Sequence, residues 1–171
     1  MMTTDEVKKI YPFDKALEFK QRGLNPTKPS CIGLVEGSDT WMQHQMSNKP
    51  ILAKIPDNVQ AAMDKVASIT GRQYHLFDYA GAPDAERVII VMGAGTTVEE
   101  TVNYLNKQGE KVGVIKVHLF RPFSKKHLDA ALPKTVKKIC VLDRCREDGA
   151  PGEPLYLDCL LYTSPSPRDS T

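Results

Sequence analysis

Arg87-Val88-Ile89-Ile90-Val91-Met92-Gly93-Ala94-Gly95-Thr96-Thr97-Val98-Glu99-Glu100-Thr101 carries a charged residue into five apolar ones, then a Gly-Ala-Gly turn, two threonines and two glutamates. A continuous, largely β-branched run of this kind reads as a strand buried on both faces of a parallel sheet. The turn opens a helix, for which Thr96 with Glu99, or Thr97 with Glu100, supplies a capping-box signature. Val98, Val102 and Leu105 then recur at helical spacing to about residue 108, and Gly109 closes the helix.

On the C-terminal side, residues 111–120 form the next expected strand, ended by Pro122, which has no backbone donor. Ser124 is placed to cap a short helix with Leu128, Ala131 and Leu132 inward, stopped by Pro133. Residues 138–142 read as another buried strand running into Asp143-Arg144, and a further helix begins at Glu153-Pro154. On the N-terminal side, Val59, Ala62, Met63, Val66, Ile69 and Thr70 share one helical face, with Gly71 as C-cap. Residues 74–79 are a short strand and 81–84 a turn. The β-α-β-α-β order with short loops predicts an α/β fold with an open, doubly wound, mostly parallel sheet. Such a sheet would continue past the 153–158 helix with at least one more strand, so it is expected to be truncated at its C-terminal edge. Ligands in sheets of this class sit at the C-terminal ends of the strands, which here are the loops 93–97, 120–124 and 143–152.

Residues 1–50 read as irregular with one helix, capped by Asp14 and stopped at Gly23, followed by a turn or linker at Asn25-Pro26-Thr27-Lys28-Pro29. Residues 33–50 are polar, with Trp41 as the one large anchor, and have too little apolar surface to fold alone. The expected organisation is a connector arm from the end of a preceding domain over 1–55, an incomplete α/β domain over 56–158, and a tail over 159–171. Cys159-Leu160-Leu161-Tyr162-Thr163-Ser164-Pro165-Ser166-Pro167-Arg168-Asp169 reads as the translation of a transposase-type sequencing adaptor. The natural sequence is therefore expected to stop near Asp158, leaving the tail artefactual or disordered.

A net charge of +2 over 171 residues makes no electrostatic case for nucleic acid or an anionic membrane. No apolar run approaches the roughly 18–20 residues of a spanning helix. The N-terminus resembles neither a secretory signal nor an Arg-rich transit peptide. Cys31, Cys140, Cys145 and Cys159 lie far apart in mostly apolar contexts, which suits buried thiols in a reducing compartment better than a disulfide framework. The expected location is soluble and intracellular, in the cytoplasm or a reducing organelle.

Gly93-Ala94-Gly95-Thr96-Thr97-Val98 has two glycines of a dinucleotide fingerprint, but Val98 stands where the third is needed for close helix–sheet packing. The strand that should end in a ribose-binding carboxylate ends in Leu119-Phe120-Arg121. A tight turn facing a neighbouring domain or subunit accounts for the same residues. Arg121-Pro122-Phe123 sits at a strand end, where the guanidinium could clamp a carboxylate or phosphate or tie two loops together. Cys140 in a strand and Cys145 in a charged loop are poor partners, and no Cys-x-x-Cys exists for a cluster or zinc ribbon. His44, His75, His118 and His127 are scattered, without a nucleophile and orienting carboxylate in a recognisable motif. Asp143-Arg144 and Arg146-Glu147-Asp148 read as a solvated loop or an interdomain salt-bridge cluster.

The run from Tyr74-His75-Leu76-Phe77-Asp78-Tyr79 through Gly81-Ala82-Pro83-Asp84 to Met92-Gly93 strongly resembles pyruvate:ferredoxin (flavodoxin) oxidoreductase. So do Thr97-Val98-Glu99-Glu100-Thr101-Val102, Arg121-Pro122-Phe123, Ala131-Leu132-Pro133-Lys134-Thr135-Val136-Lys137-Lys138, Val141-Leu142-Asp143-Arg144 and Gly152-Glu153-Pro154-Leu155-Tyr156-Leu157-Asp158. Leu24-Asn25-Pro26 and Gln43 look like the family's connector, and Glu36-Gly37-Ser38 departs from it. The resemblance implies a fragment covering mainly the family's second domain, which is similar to the C-terminal domain of transketolase. It implies a large enzyme that decarboxylates pyruvate on thiamine diphosphate with Mg2+ and passes electrons through [4Fe–4S] clusters to ferredoxin or flavodoxin, or to NADP in a fused form. Coenzyme A receives the acetyl group.

The expected partners are the other domains of the same chain and, in the full-length protein, a homodimer, without nucleic acid or membrane. The matched region has none of the family's thiamine or cluster motifs. The expectation is a scaffold domain, inactive alone, with no catalytic, cofactor-binding or metal residue. Another 2-oxoacid oxidoreductase, a transketolase-like subunit and a nucleotide-binding α/β module are the alternatives.

Overall fold

The computed structural model describes residues 2–29, 33 and 35–163, the side chain of Tyr162 excepted. It divides into two compact units, residues 1–73 and 74–171.

The N-terminal unit is helical: α1 (Thr4–Ile10), α2 (Phe13–Gln21) and α3 (Ser38–Thr70). The Thr3 side chain accepts from the Glu6 N–H at 3.3 Å while the Glu6 carboxylate accepts from the Thr3 N–H at 2.7 Å. This reciprocal box starts α1, within a region the sequence reading left irregular. Asp14 does not cap α2: Pro12 holds the N-cap position and no side chain caps it. The largest correction is α3. It is helical from Ser38 through Pro50 and Pro56, where the polar composition of residues 33–50 predicts a connector arm. Trp41, Met42, Met46, Ile51 and Leu52 remain exposed along it. A proline deletes one intrahelical hydrogen bond, and the residues around each proline keep the 3.6-residue path. Gly71 ends α3 at φ 71°, as expected of a left-handed C-cap.

The C-terminal unit runs β1 (Phe77–Gly81), β2 (Arg87–Val91), α4 (Gly95–Lys107), β3 (Val112–Val117), α5 (Lys125–Ala131), β4 (Lys138–Leu142) and α6 (Pro154–Thr163). The sheet order is β1-β3-β2-β4. β2 pairs in parallel with β3 (Ile89 opposite Val114) and with β4 (Ile89 opposite Cys140). β1 lies antiparallel to β3, with Tyr79 opposite Ile115. The sheet is thus α/β and mostly parallel, as the sequence predicts, with one edge strand reversed. The 74–79 strand begins three residues later than read, at Phe77.

Alternation along the strands divides the core into two layers. Ile89, Val91, Val112, Val114 and Ala80 face α4 and pack with Val98 and Val102. On the other face Val88, Ile90 and Ile115 are fully buried, as are Leu128 of α5 and Leu155 of α6. Gly113 lets the Tyr79 ring lie flat on β3: a Cβ there would fall 2.5 Å from Tyr79 Cε2. The Tyr79 hydroxyl donates to the Ala82 carbonyl.

β4 occupies its predicted residues but not its predicted environment. Among the described residues its only strand partner is β2, so Ile139, Cys140 and Leu142 are exposed. Cys145 is exposed as well, and only Cys159 of the described cysteines is buried, so the expectation of buried thiols fails at two positions. Cys31 lies outside the described residues.

α6 continues five residues past Asp158 to Thr163, with Cys159 only 2% exposed. Residues 159–163 are therefore ordered helix, because Cys159-Leu160-Leu161 extends an apolar helical run whatever its origin. The remainder of the expected tail, 164–171, lies outside the described residues.

Candidate functional site

The C-terminal ends of β2, β3 and β4 are the place where this architecture puts ligands, and each is followed by a loop held by contacts within the C-terminal unit.

After β2 the chain turns at Gly93, whose φ of +90° suits glycine alone at low cost. α4 begins at Gly95 with Ala94 at the N-cap and no side-chain cap. Thr96 and Thr97 are therefore inside the helix, and neither capping box forms. Glu99 turns instead to Lys116 of β3, carboxylate to ammonium at 2.8 Å, both half-buried. The Lys116 stem fills the space beside Gly95: a Cβ there would meet Lys116 Cγ at 2.6 Å. The second glycine thus leaves room for the close approach of a lysine. A phosphate bound at this helix start would use the free N–H groups of the first turn. Here it would have to displace the lysine stem and face the Glu99 carboxylate. The turn does not fit a pyrophosphate cradle.

After β3, His118 lies with Nε2 3.2 Å from Asp78 Oδ2. The other Asp78 oxygen accepts from the His75 N–H at 3.1 Å, and the His118 N–H donates to the Leu76 carbonyl at 2.9 Å. Asp78 thereby fastens the entry of β1 to the exit of β3. Arg121 precedes a cis peptide to Pro122. Its guanidinium stacks over Phe120 at 4.6 Å, and its Nε donates to Asp158 of α6 at 3.0 Å. Of the two readings of Arg121, the geometry matches the arginine that ties two segments together. Phe123 packs edge-on against Phe77 at 5.5 Å between ring centroids. Ser124 gives no backbone cap to α5, and its hydroxyl sits 2.7 Å from His127 Nδ1. His44 lies in the N-terminal unit, paired with Glu36.

After β4, Asp143 does what the charge pattern did not reveal. One carboxylate oxygen accepts from the Leu155 N–H at 2.8 Å and the other from the Cys145 N–H at 3.1 Å. Burial pushes the carboxyl up, but the backbone N–H groups of Leu155, Cys145 and Arg144 outweigh it and hold Asp143 below the usual carboxylate range. It caps the first turn of α6 from 12 residues upstream. No local spacing rule detects a cap supplied at that distance.

Cys140 on β4 and Cys145 in the following loop are both free thiols. Burial of Cys159, reinforced by the neighbouring Asp158 charge, pushes its thiol up to about 12. Among the described residues no group of three or more His, Cys, Asp or Glu side chains is placed to hold a metal ion, and no helix is long and apolar enough to cross a membrane. The residues at the sheet's C-terminal end are engaged with one another through Lys116–Glu99, His118–Asp78, Arg121–Asp158 and Asp143–Leu155.

Residues 85–166 match the family model described as pyruvate:ferredoxin oxidoreductase core domain II. The chain is 51% identical over 155 residues to the pyruvate:ferredoxin oxidoreductase of Moorella thermoacetica, covering 90% of this chain and 13% of that one. It is 49% identical over 160 residues to the pyruvate dehydrogenase [NADP(+)] of Cryptosporidium parvum, covering 92% of this chain and 8% of that one. It is 48% identical over 159 residues to the pyruvate-flavodoxin oxidoreductase of Rhodospirillum rubrum, again covering 92% of this chain and 13% of the relative. Among solved structures it resembles a 2-oxoglutarate:ferredoxin oxidoreductase from Magnetococcus marinus, with TM-score 0.42 and 22% identity over 69% of this chain and 19% of that one. The chain thus spans about a tenth of the length of the curated relatives it matches. On the family match and these identities, residues 85–166 match core domain II of the pyruvate:ferredoxin oxidoreductase family, and nine-tenths of the chain is about half identical to curated relatives of that kind.

Proposed function

We propose that this chain serves as a scaffold domain of an enzyme that oxidatively decarboxylates pyruvate to acetyl-coenzyme A. The observation that carries the reading is near-half identity, over nine-tenths of this chain, to relatives that all act on pyruvate by name. The acceptor is ferredoxin, flavodoxin or NADP+. The named relatives include all three at similar identity. Thiamine diphosphate with Mg2+, [4Fe–4S] clusters and coenzyme A supply the carbanion, electron-transfer and acyl-acceptor chemistry of the proposed reaction. The chain's own residues support a structural part in it. Lys116, Glu99, Arg121, Asp158, Asp78 and Asp143 hold the sheet's C-terminal end together. The proposed partners are the other domains of the same polypeptide and, in the full protein, a second copy.

Three experiments test the two halves of this reading. Full-length protein containing this chain is assayed for coenzyme A-dependent viologen reduction with pyruvate and with 2-oxoglutarate. Preference for 2-oxoglutarate overturns the substrate assignment and leaves the scaffold role standing. Separately, the corresponding segment of the Moorella enzyme is replaced by this chain. Retained pyruvate oxidation supports the scaffold role. The isolated chain is titrated with thiamine diphosphate, coenzyme A, ATP and NADP+, and micromolar binding of any of them overturns that role and favours a nucleotide-binding module.

A further inference from the structure

We draw no further inference here: the strongest candidate, the apolar groove of about 460 Å3 between α4 and the edge strand β4, lined by Ile89, Val98, Leu105, Ile139 and Cys140, is an unpartnered face, and nothing in the structure shows what covers it.

Discussion

Replacing Gly113 with alanine tests whether the β1 edge of the sheet is set by one aromatic ring lying on a bare backbone. The added Cβ would stand 2.3 Å from Tyr79 Oη, 2.5 Å from Cε2 and 2.7 Å from Cζ. All are well inside van der Waals contact. The ring cannot simply swing away, because its hydroxyl is committed to the Ala82 carbonyl and β1 is paired along its whole length with β3. Overpacking of this kind costs about 1–3 kcal/mol. Alanine also restricts the unfolded chain, which returns roughly 0.4–1 kcal/mol. The expected net loss is about 1–2 kcal/mol, a fall in Tm on the order of 5–10 °C for a unit of this size. Urea or thermal unfolding of Gly113→Ala, Tyr79→Ala and the double variant reads the loss and the coupling between the two sites. The double variant should lose less than the sum of the singles by about 1 kcal/mol or more. Tyr79→Phe keeps the ring carbons in place and should not rescue Gly113→Ala. A neutral Gly113→Ala, or a double-mutant coupling within the ~0.5 kcal/mol scatter of independent sites, would refute the reasoning.

Three further outcomes are expected. Asp143→Ala removes the α6 cap and should cost about 1 kcal/mol. Because the folded carboxyl lies below its unfolded value, its contribution is present above the unfolded pKa and lost as pH falls through the folded one. Denaturation followed from pH 6 to pH 3 should therefore show a flatter acid limb in the variant than in the parent. In a Cys31→Ser background, an alkylating reagent at neutral pH should modify the exposed Cys140 and Cys145 and spare Cys159, whose thiol is buried and pushed up to about 12. Mass spectrometry of native and urea-unfolded protein separates the three, and equal labelling of Cys159 in the native state would contradict the packing of α6. Leu142→Lys places a charge on the exposed edge strand, where Leu142 is 44% exposed. It should slow concentration-dependent association, measured by light scattering, with little change in Tm. An unchanged association rate would show that β4 is not the sticky edge.

The parts of the fold legible in the sequence are those set by local pattern. The apolar run Val88–Met92 gave β2, the spacing of Val98, Val102 and Leu105 gave α4, and Pro133 follows the end of α5, whereas β3 ends at Val117, three residues short of the strand read over 111–120 and ended by Pro122. The reversal of β1 was not legible, because an antiparallel edge strand and a parallel one carry the same apolar alternation. The first half of α3 was not legible, because residues 33–50 are polar and carry too little apolar surface for a helical stripe to show in the pattern. At the candidate site the sequence had the glycines right and their purpose open. Gly95 adjoins Lys116, a residue 21 positions away on another strand, and no spacing rule predicts that the stem of a lysine fills a turn. Asp143 was likewise visible only as a charge, since its acceptor role depends on where α6 begins.

The position of β4 outside β2 has a kinetic consequence. Arg87 meets Val112 of β3 across a separation of 25 residues, but meets Lys138 of β4 only 51 residues further along the chain. The nearer closure carries the smaller entropy penalty. The β2-α4-β3 unit is therefore expected to consolidate first, with β4 adding to a sheet already formed. α6 draws a helix-starting acceptor from Asp143 at the end of β4, so it inherits that lateness. In native-state hydrogen exchange, the amides of β4 and the first turn of α6 should open together, as one cooperative piece, at a lower free energy than those of β2 and β3.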